Sequence, residues 1–334
     1  MTALHDSPPA DTARPRGPRV LAGVVAGLTL AVSLMLLAFA APAVNSGAHD
    51  LPIAVSGPDA AVARLEAALD ANGPGAFQVT PRADADEVAT AITERDAVGG
   101  ISITQDGVLI QIASAAGAPY APLLRSVGAG LAAQGQVVTY ADLVPLTEDD
   151  PAGSGLTALA LPLAFGGMIS AVGLVTLFAH SRTLRVLGSI GFSVVAGIAI
   201  TAILQFWLGS IDGSFWLTAT GVALGIAAIS LVVLGLESLL GYPGLGIGGV
   251  VMVFIANPLS GLATGPWWLP QPWGAIGQFL PIGAAGTVIR SAAFFDGAGA
   301  GRALLVLGGW IAVGLVLVAL SARRATRDEA VVPA

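Results

Sequence analysis

The sequence predicts an α-helical polytopic membrane protein, with six transmembrane helices, both termini in the cytoplasm (N-in/C-in) and a small α/β extracytoplasmic domain. Three observations carry this expectation. Apolar residues fill 55% of the 334 positions and charged residues only 10%, where a soluble globular chain carries about a quarter charged. Charge-free apolar runs of about 20 residues recur along the chain, long enough to cross a hydrocarbon layer of roughly 30 Å as helices. The net charge of -7 is concentrated in one stretch, because residues 45–155 hold 14 acids and four arginines.

Five runs qualify as spans directly: Val20 to Ala43, Gly155 to Phe178, Val186 to Leu208, Phe215 to Leu236 and Ala303 to Ala322. The first contains the small-residue steps Ala38, Phe39, Ala40 and Ala41, Pro42, Ala43, which match a signal-peptidase site. Its apolar run exceeds the 7 to 15 residues of a signal core, so it reads as an uncleaved anchor. Ahead of it, residues 1–19 carry Pro8, Pro9, Pro15 and Pro18 and read as a disordered cytoplasmic tail.

The region between Glu237 and Arg290 is free of charge for 52 residues and broken by six prolines. Its first part, Gly244 to about Leu262, reads as helix five. Trp267, Trp268 and Trp273 among prolines then form an aromatic belt of the kind found at membrane interfaces. Residues 274–295 are either a seventh span or a re-entrant or surface-lying hairpin. Arginine placement favours the hairpin, since short cytoplasmic loops are enriched in basic residues. Arg14, Arg16 and Arg19, then Arg182 and Arg185, then Arg323, Arg324 and Arg327 all fall on the cytoplasmic side only if residues 264–301 stay on the outer face. The expected domains are therefore an anchor over 20–43, an outer α/β domain over 44–154, helices two to five over 155–263, the hairpin over 264–301, helix six over 302–322 and a cytoplasmic tail over 323–334.

Within the outer segment, apolar alternation and turn signals predict strands at Leu51 to Ser56, Phe77 to Thr80, Gly100 to Thr104, Val108 to Ile112 and Gln136 to Tyr140. Asp106-Gly107 marks a hairpin turn. Helical spacing predicts helices at Ala60 to Leu69, Ala85 to Glu94 and Tyr120 to Ala133. About 100 residues suffice to bury a core.

Candidate chemistry is sparse. There is no cysteine, which excludes disulfides and thiolate sites, and no lysine, which excludes the P-loop pattern. His5, His49 and His180 are isolated, so no catalytic residue, cofactor site or metal site is assigned. Gly244, Gly246 and Gly249 match a dinucleotide-binding spacing but open a membrane helix rather than follow a strand. Gly244 with Gly248, and Gly221 with Gly225, fit close helix packing better. Glu148, Asp149 and Asp150 are either a calcium site or a solvated orienting stretch, and the second fits their place beside a span. Glu237 and Arg290 are the charges nearest membrane depth. Gln205, Asn257, Gln278 and Arg290 are candidates for a substrate pathway, with interhelical hydrogen bonding as the plainer alternative for the three amides. The acidic balance argues against a nucleic-acid partner. Arginine without lysine, with abundant Ala, Gly and Pro, suggests a source with GC-rich codons, and the expected location is a cell membrane, crossed several times, with a bacterial plasma membrane as the expectation.

Leu51, Pro52, Ile53, Ala54 and Val55 open the outer domain, and Val98, Gly99, Gly100, Ile101, Ser102 and Ile103 follow a helix. Further on come Asn257, Pro258, Leu259, Ser260, Gly261, then Pro266 to Pro270, then Phe279, Leu280, Pro281 with Arg290. In this arrangement the chain resembles type-2 ABC-transporter permeases, and within that group it looks most like the phage-infection-protein (YhgE/Pip) branch. The resemblance implies a permease-like subunit of an ABC-type export system without its own ATPase, a separate ATPase subunit as partner, and a homo- or heterodimer in the bilayer. Two features depart from the pattern: the N-terminal tail is proline-rich, and the loop before helix three spans only about His180 to Arg185.

Overall fold

The computed structural model describes residues 17–331, with side chains to residue 323. Arg14 and Arg16 lie outside the described residues, as do the side chains of Arg324 and Arg327. Among the described residues five helices are long and apolar enough to cross a membrane: α1 (Pro18–Val44), then α5 (Ser154–Leu177), α6 (Arg182–Trp207) and α7 (Phe215–Leu240) after the sheet domain, and the first part of α11 (Gly301–Val331). The chain is thus mostly helical, as composition requires. Pro18 and Arg19, expected in the tail, begin α1 instead, because proline at the first helical position loses no hydrogen bond there. At the other end α11 runs on through the expected tail as far as Val331.

The expected fifth helix is shorter than its apolar run. α8 spans Tyr242–Ala256, about 22 Å at the usual helical rise, and stops before Asn257-Pro258. Pro258 has no N–H to donate to the preceding turn, and although Asn257 keeps helical φ and ψ, Gly261 at φ +61° turns the chain out of the helix. The 274–295 region forms two short helices, α9 (Trp273–Gln278) and α10 (Pro281–Phe294), divided at Pro281. Neither reaches the length of a span.

Between α1 and α5 lies a five-stranded mixed sheet of order β2-β1-β3-β4-β5. Its strands are β1 (Leu51–Ser56), β2 (Phe77–Arg82), β3 (Gly99–Ile103), β4 (Val108–Ile112) and β5 (Val138–Asp142). β1 pairs in parallel with β2 and β3, β3 and β4 form the antiparallel hairpin across Asp106-Gly107, and β4 pairs in parallel with β5. α2 (Asp59–Asn72) and α4 (Tyr120–Ala133) cover one face through Leu65, Leu69 and Leu124 against Ile53, Val55 and Ile110. α3 (Ala85–Thr93) covers the other through Val88 and Ile92 against Ala54. Gly99 and Gly100 make both approaches close: a Cβ would stand 2.2 Å from Leu124 on one side and 2.2 Å from Val88 on the other.

In the helical part α7 is the centre, with 78% of its apolar window buried, and α5, α6, α8, α10 and α11 all touch it. α1 is the opposite case. None of its window is buried, and a 27-residue helix apolar on every side is stable only in an apolar solvent.

Candidate functional site

The polar groups that converge do so where α8 ends. Breaking a helix at Asn257-Pro258 leaves carbonyls without intrahelical donors, and buried carbonyls need partners. The Asn257 carbonyl accepts from the amide and the hydroxyl of Ser260. The Ser260 carbonyl accepts from Gln278 Nε2 at 3.0 Å, and the Leu262 carbonyl accepts from Arg290 Nη2 at 2.5 Å. Gln278 Oε1 in turn accepts from the Thr287 hydroxyl at 2.6 Å. Gln278 and Arg290 therefore satisfy carbonyls of the segment that follows α8, and Asn257, at its start, is 9% exposed. Gln205 stands apart, with Nε2 donating to the Gly213 carbonyl and Oε1 buried without a partner.

Glycines allow the hairpin to enter the bundle. At Gly277 a Cβ would meet the Leu259 carbonyl at 1.7 Å, so α9 lies directly against the 257–262 segment. α10 packs along the first half of α7, where Cβ atoms added at Gly221 and Gly225 would stand 3.0 Å from Val288 and 2.6 Å from Ala285. Gly244 and Gly248 perform the same service between α8 and α7, against Leu236 and Val233.

The sheet domain is seated on this hairpin. Trp267 and Trp268, expected in an interfacial belt, offer their carbonyls to His49 and Gly47 at 2.9 and 3.0 Å and pack into the core beneath the sheet with Phe294 and Phe295. Trp273 alone of the three is 48% exposed. Arg95, held at φ +67° after α3, sends its Nη1 to the Thr287 carbonyl at 3.1 Å and to the Ser291 hydroxyl, both on α10. Its guanidinium also stands 5.1 Å from the centre of the Phe295 ring. A cation at the carbonyl end of a helix is favourably placed against the helix dipole. Burial, and then the neighbouring Arg290, lower the Arg95 guanidinium to about 10. Tyr120 lies in a cradle of Gly117 and Gly265, edge-on to Trp268 with 6.3 Å between ring centres. Burial pushes its hydroxyl above the ordinary phenol range against the opposing effects of Arg290, the Trp267 backbone amide and Arg95, and its O–H has no acceptor among the described residues.

A second polar site lies at the far end of α7. Arg185 Nη1 donates to Glu237 Oε2 at 2.7 Å, while its Nε and Nη2 donate to the carbonyls of Phe178 and Ala179. An open cavity of about 410 Å³ adjoins this pair, lined by His180, Arg182 and Ser238 among others. Arg19, Arg182 and Arg323 are exposed. From Arg185 a stripe of every fourth residue, Ser189, Ser193, Gly197 and Thr201, forms the buried face of α6. Ser230 of α7 joins the Ser189 and Ser170 hydroxyls at 2.8 and 2.9 Å.

Asp150 is the buried member of the acidic run. Burial raises its carboxyl, but the amides of Gly155 and Ser154 and the hydroxyls of Ser210 and Ser154 outweigh that effect and hold it below the usual carboxylate range. It caps the start of α5, with both carboxylate oxygens accepting from backbone N–H groups.

Sequence reasoning singled out Arg290 and Gln278 but missed Arg95 and Tyr120, whose sequence neighbours announce nothing. The α6 stripe was readable as a four-residue spacing of small and polar side chains that continues to Gln205. No family model matches the chain, and comparison with curated proteins and with solved structures likewise found no match.

Proposed function

We propose that this chain is the membrane-spanning, permease-like subunit of an ABC-type export system, working with a separate ATPase and as a dimer in a bacterial plasma membrane. α8 together with residues 257–264 forms the sixth crossing, both termini are cytoplasmic, and the sheet domain with its hairpin faces outward. The observation that carries this reading is the unbroken packing from the sheet domain through Arg95 to α10, and from α10 along the buried central helix α7. A shift of the outer domain must then move the core of the bundle, which is the coupling alternating access requires. The position of Arg185 at the end of α7 away from the hairpin supports the assigned orientation.

A second reading is a non-transporting membrane protein whose acidic outer domain binds an envelope, secretion or phage partner. It is favoured by Gln278 and Arg290, which close backbone carbonyls instead of facing an open path. The native chain has no cysteine, so single thiols report topology cleanly. Asp70→Cys should react with an impermeant maleimide in intact cells, while Thr183→Cys and a cysteine appended at the C-terminus should react only after permeabilisation; the reverse pattern refutes the orientation. Purification in mild detergent should bring down a nucleotide-binding subunit whose ATPase activity changes with Arg95→Ala. Its consistent absence rejects the permease reading and leaves the second.

A further inference from the structure

The seam between sheet domain and hairpin has a surplus of donors. Arg95 and Arg290 both gather at the last turns of α10, since Arg95 binds the Thr287 carbonyl and the hydroxyl of Ser291, the residue next to Arg290. Among the described residues no carboxylate faces them. The acids adjoining this region in sequence, Glu94, Asp96 and Asp296, are all exposed. Arg290 is 4% exposed, its Nε–H is buried without a partner, and the buried Tyr120 hydroxyl, though beside the Trp267 backbone amide, has no acceptor for its own O–H. A guanidinium stays charged and offers five N–H donors with no acceptor. Arg290 out of water, with the half-buried Arg95 beside it and no anion, is costly, and the carbonyls the two arginines bind offset only part of that cost. What the seam lacks is a negatively charged acceptor.

We propose that this seam is a binding site for one phosphate-like oxyanion, held by Arg95, Arg290 and Tyr120. Guanidinium forks match the geometry of oxyanions, and charge-assisted hydrogen bonds are the strong ones. The unpartnered Arg290 Nε–H and Tyr120 O–H each supply a donor, and Arg95, which is only half-buried, leads in from solvent. Bound there, the anion would join a residue of β-sheet domain origin to one on the hairpin and so strengthen the docking of the two parts. The inference holds for either functional reading, because it depends on the seam alone.

The test uses the full-length protein in nonionic detergent, with inorganic phosphate titrated against sodium chloride at constant ionic strength. Melting and tryptophan fluorescence are followed, since Trp267 and Trp268 lie at the seam. The expected result is saturable stabilisation by phosphate, weakened about 10-fold by Tyr120→Phe and about 100-fold by Arg290→Gln, in line with loss of hydrogen bonds to a charged group. Should Arg290→Gln fail to fold, Tyr120→Phe, which keeps the ring, and Arg95→Gln carry the comparison. If free phosphate has no effect but native mass spectrometry finds a phospholipid retained by wild type and lost from Tyr120→Phe, the oxyanion is a lipid headgroup and the site stands. Neither response, or a phosphate response unchanged in all three variants, overturns the proposal.

Discussion

Replacing Glu237 by leucine should destabilise the protein by about 3 kcal/mol, the lower end of the range for breaking a buried ion pair. The two side chains are 10% and 14% exposed and 2.7 Å apart. Leucine fills a similar volume but leaves the Arg185 cation buried without a carboxylate. Two bonds from Arg185 to the carbonyls of Phe178 and Ala179 persist, and the adjoining cavity admits water, so the upper end of the range does not apply. Glu237→Gln should cost less, because its amide oxygen still accepts a hydrogen bond. For a chain of this size the leucine variant should melt about 4 °C lower, read by tryptophan fluorescence in detergent at one scan rate. Arg185→Met combined with Glu237→Leu should be less destabilised than the sum of the single variants by at least about 1 kcal/mol, since no charge is then left unpaired. A Glu237→Leu melting point within about 1 °C of wild type, or strict additivity in the cycle, would refute the argument that this pair locks the α5–α6 loop to α7.

Two further outcomes follow from the geometry. Asp150→Ala should cost about 1 kcal/mol at neutral pH as the cap of α5 is lost; because the folded carboxyl is depressed, its contribution is present above the unfolded value near 4 and lost as pH falls through the lower folded value. Melting curves from pH 7 to 3 should show wild type and variant converging at the acid end, and a constant gap would contradict the assignment. Gly225→Val should cost about 1–3 kcal/mol by overpacking α7 against Ala285, whereas Gly173→Ala, where nothing lies within 4 Å of the added carbon, should be neutral or slightly stabilising in the same melting assay.

Much of the secondary structure was legible because it depends on local period and on the length of charge-free runs. The strands at Leu51–Ser56 and Val108–Ile112 and the helix at Tyr120–Ala133 stand where alternation, turn chemistry and helical spacing put them. The Asp106-Gly107 turn joins β3 to β4 as its residue types demand. Long helices followed from the same logic, since an uninterrupted apolar run has no other way to satisfy its backbone. The end of α8 was less legible: hydropathy alone carried the helix on to about Leu262, but the missing Pro258 donor and the turn at Gly261 end it sooner.

The sequence by itself determined the apolar helices, the strand segments and the break after α8 at Asn257-Pro258. Only the tertiary structure decided what meets them. Gln278 and Arg290 reach the Ser260 and Leu262 carbonyls from 18 and 28 residues away, and Arg95 reaches Thr287 across 192. The sheet order β2-β1-β3-β4-β5, the burial of α7 by five neighbours and the gathering of two arginines beside Tyr120 are likewise choices of partner. Local pattern sets how a segment folds and which face it must bury; the identity of the surface that buries it depends on shape, glycine-permitted approach and donor–acceptor matching between segments far apart in the chain.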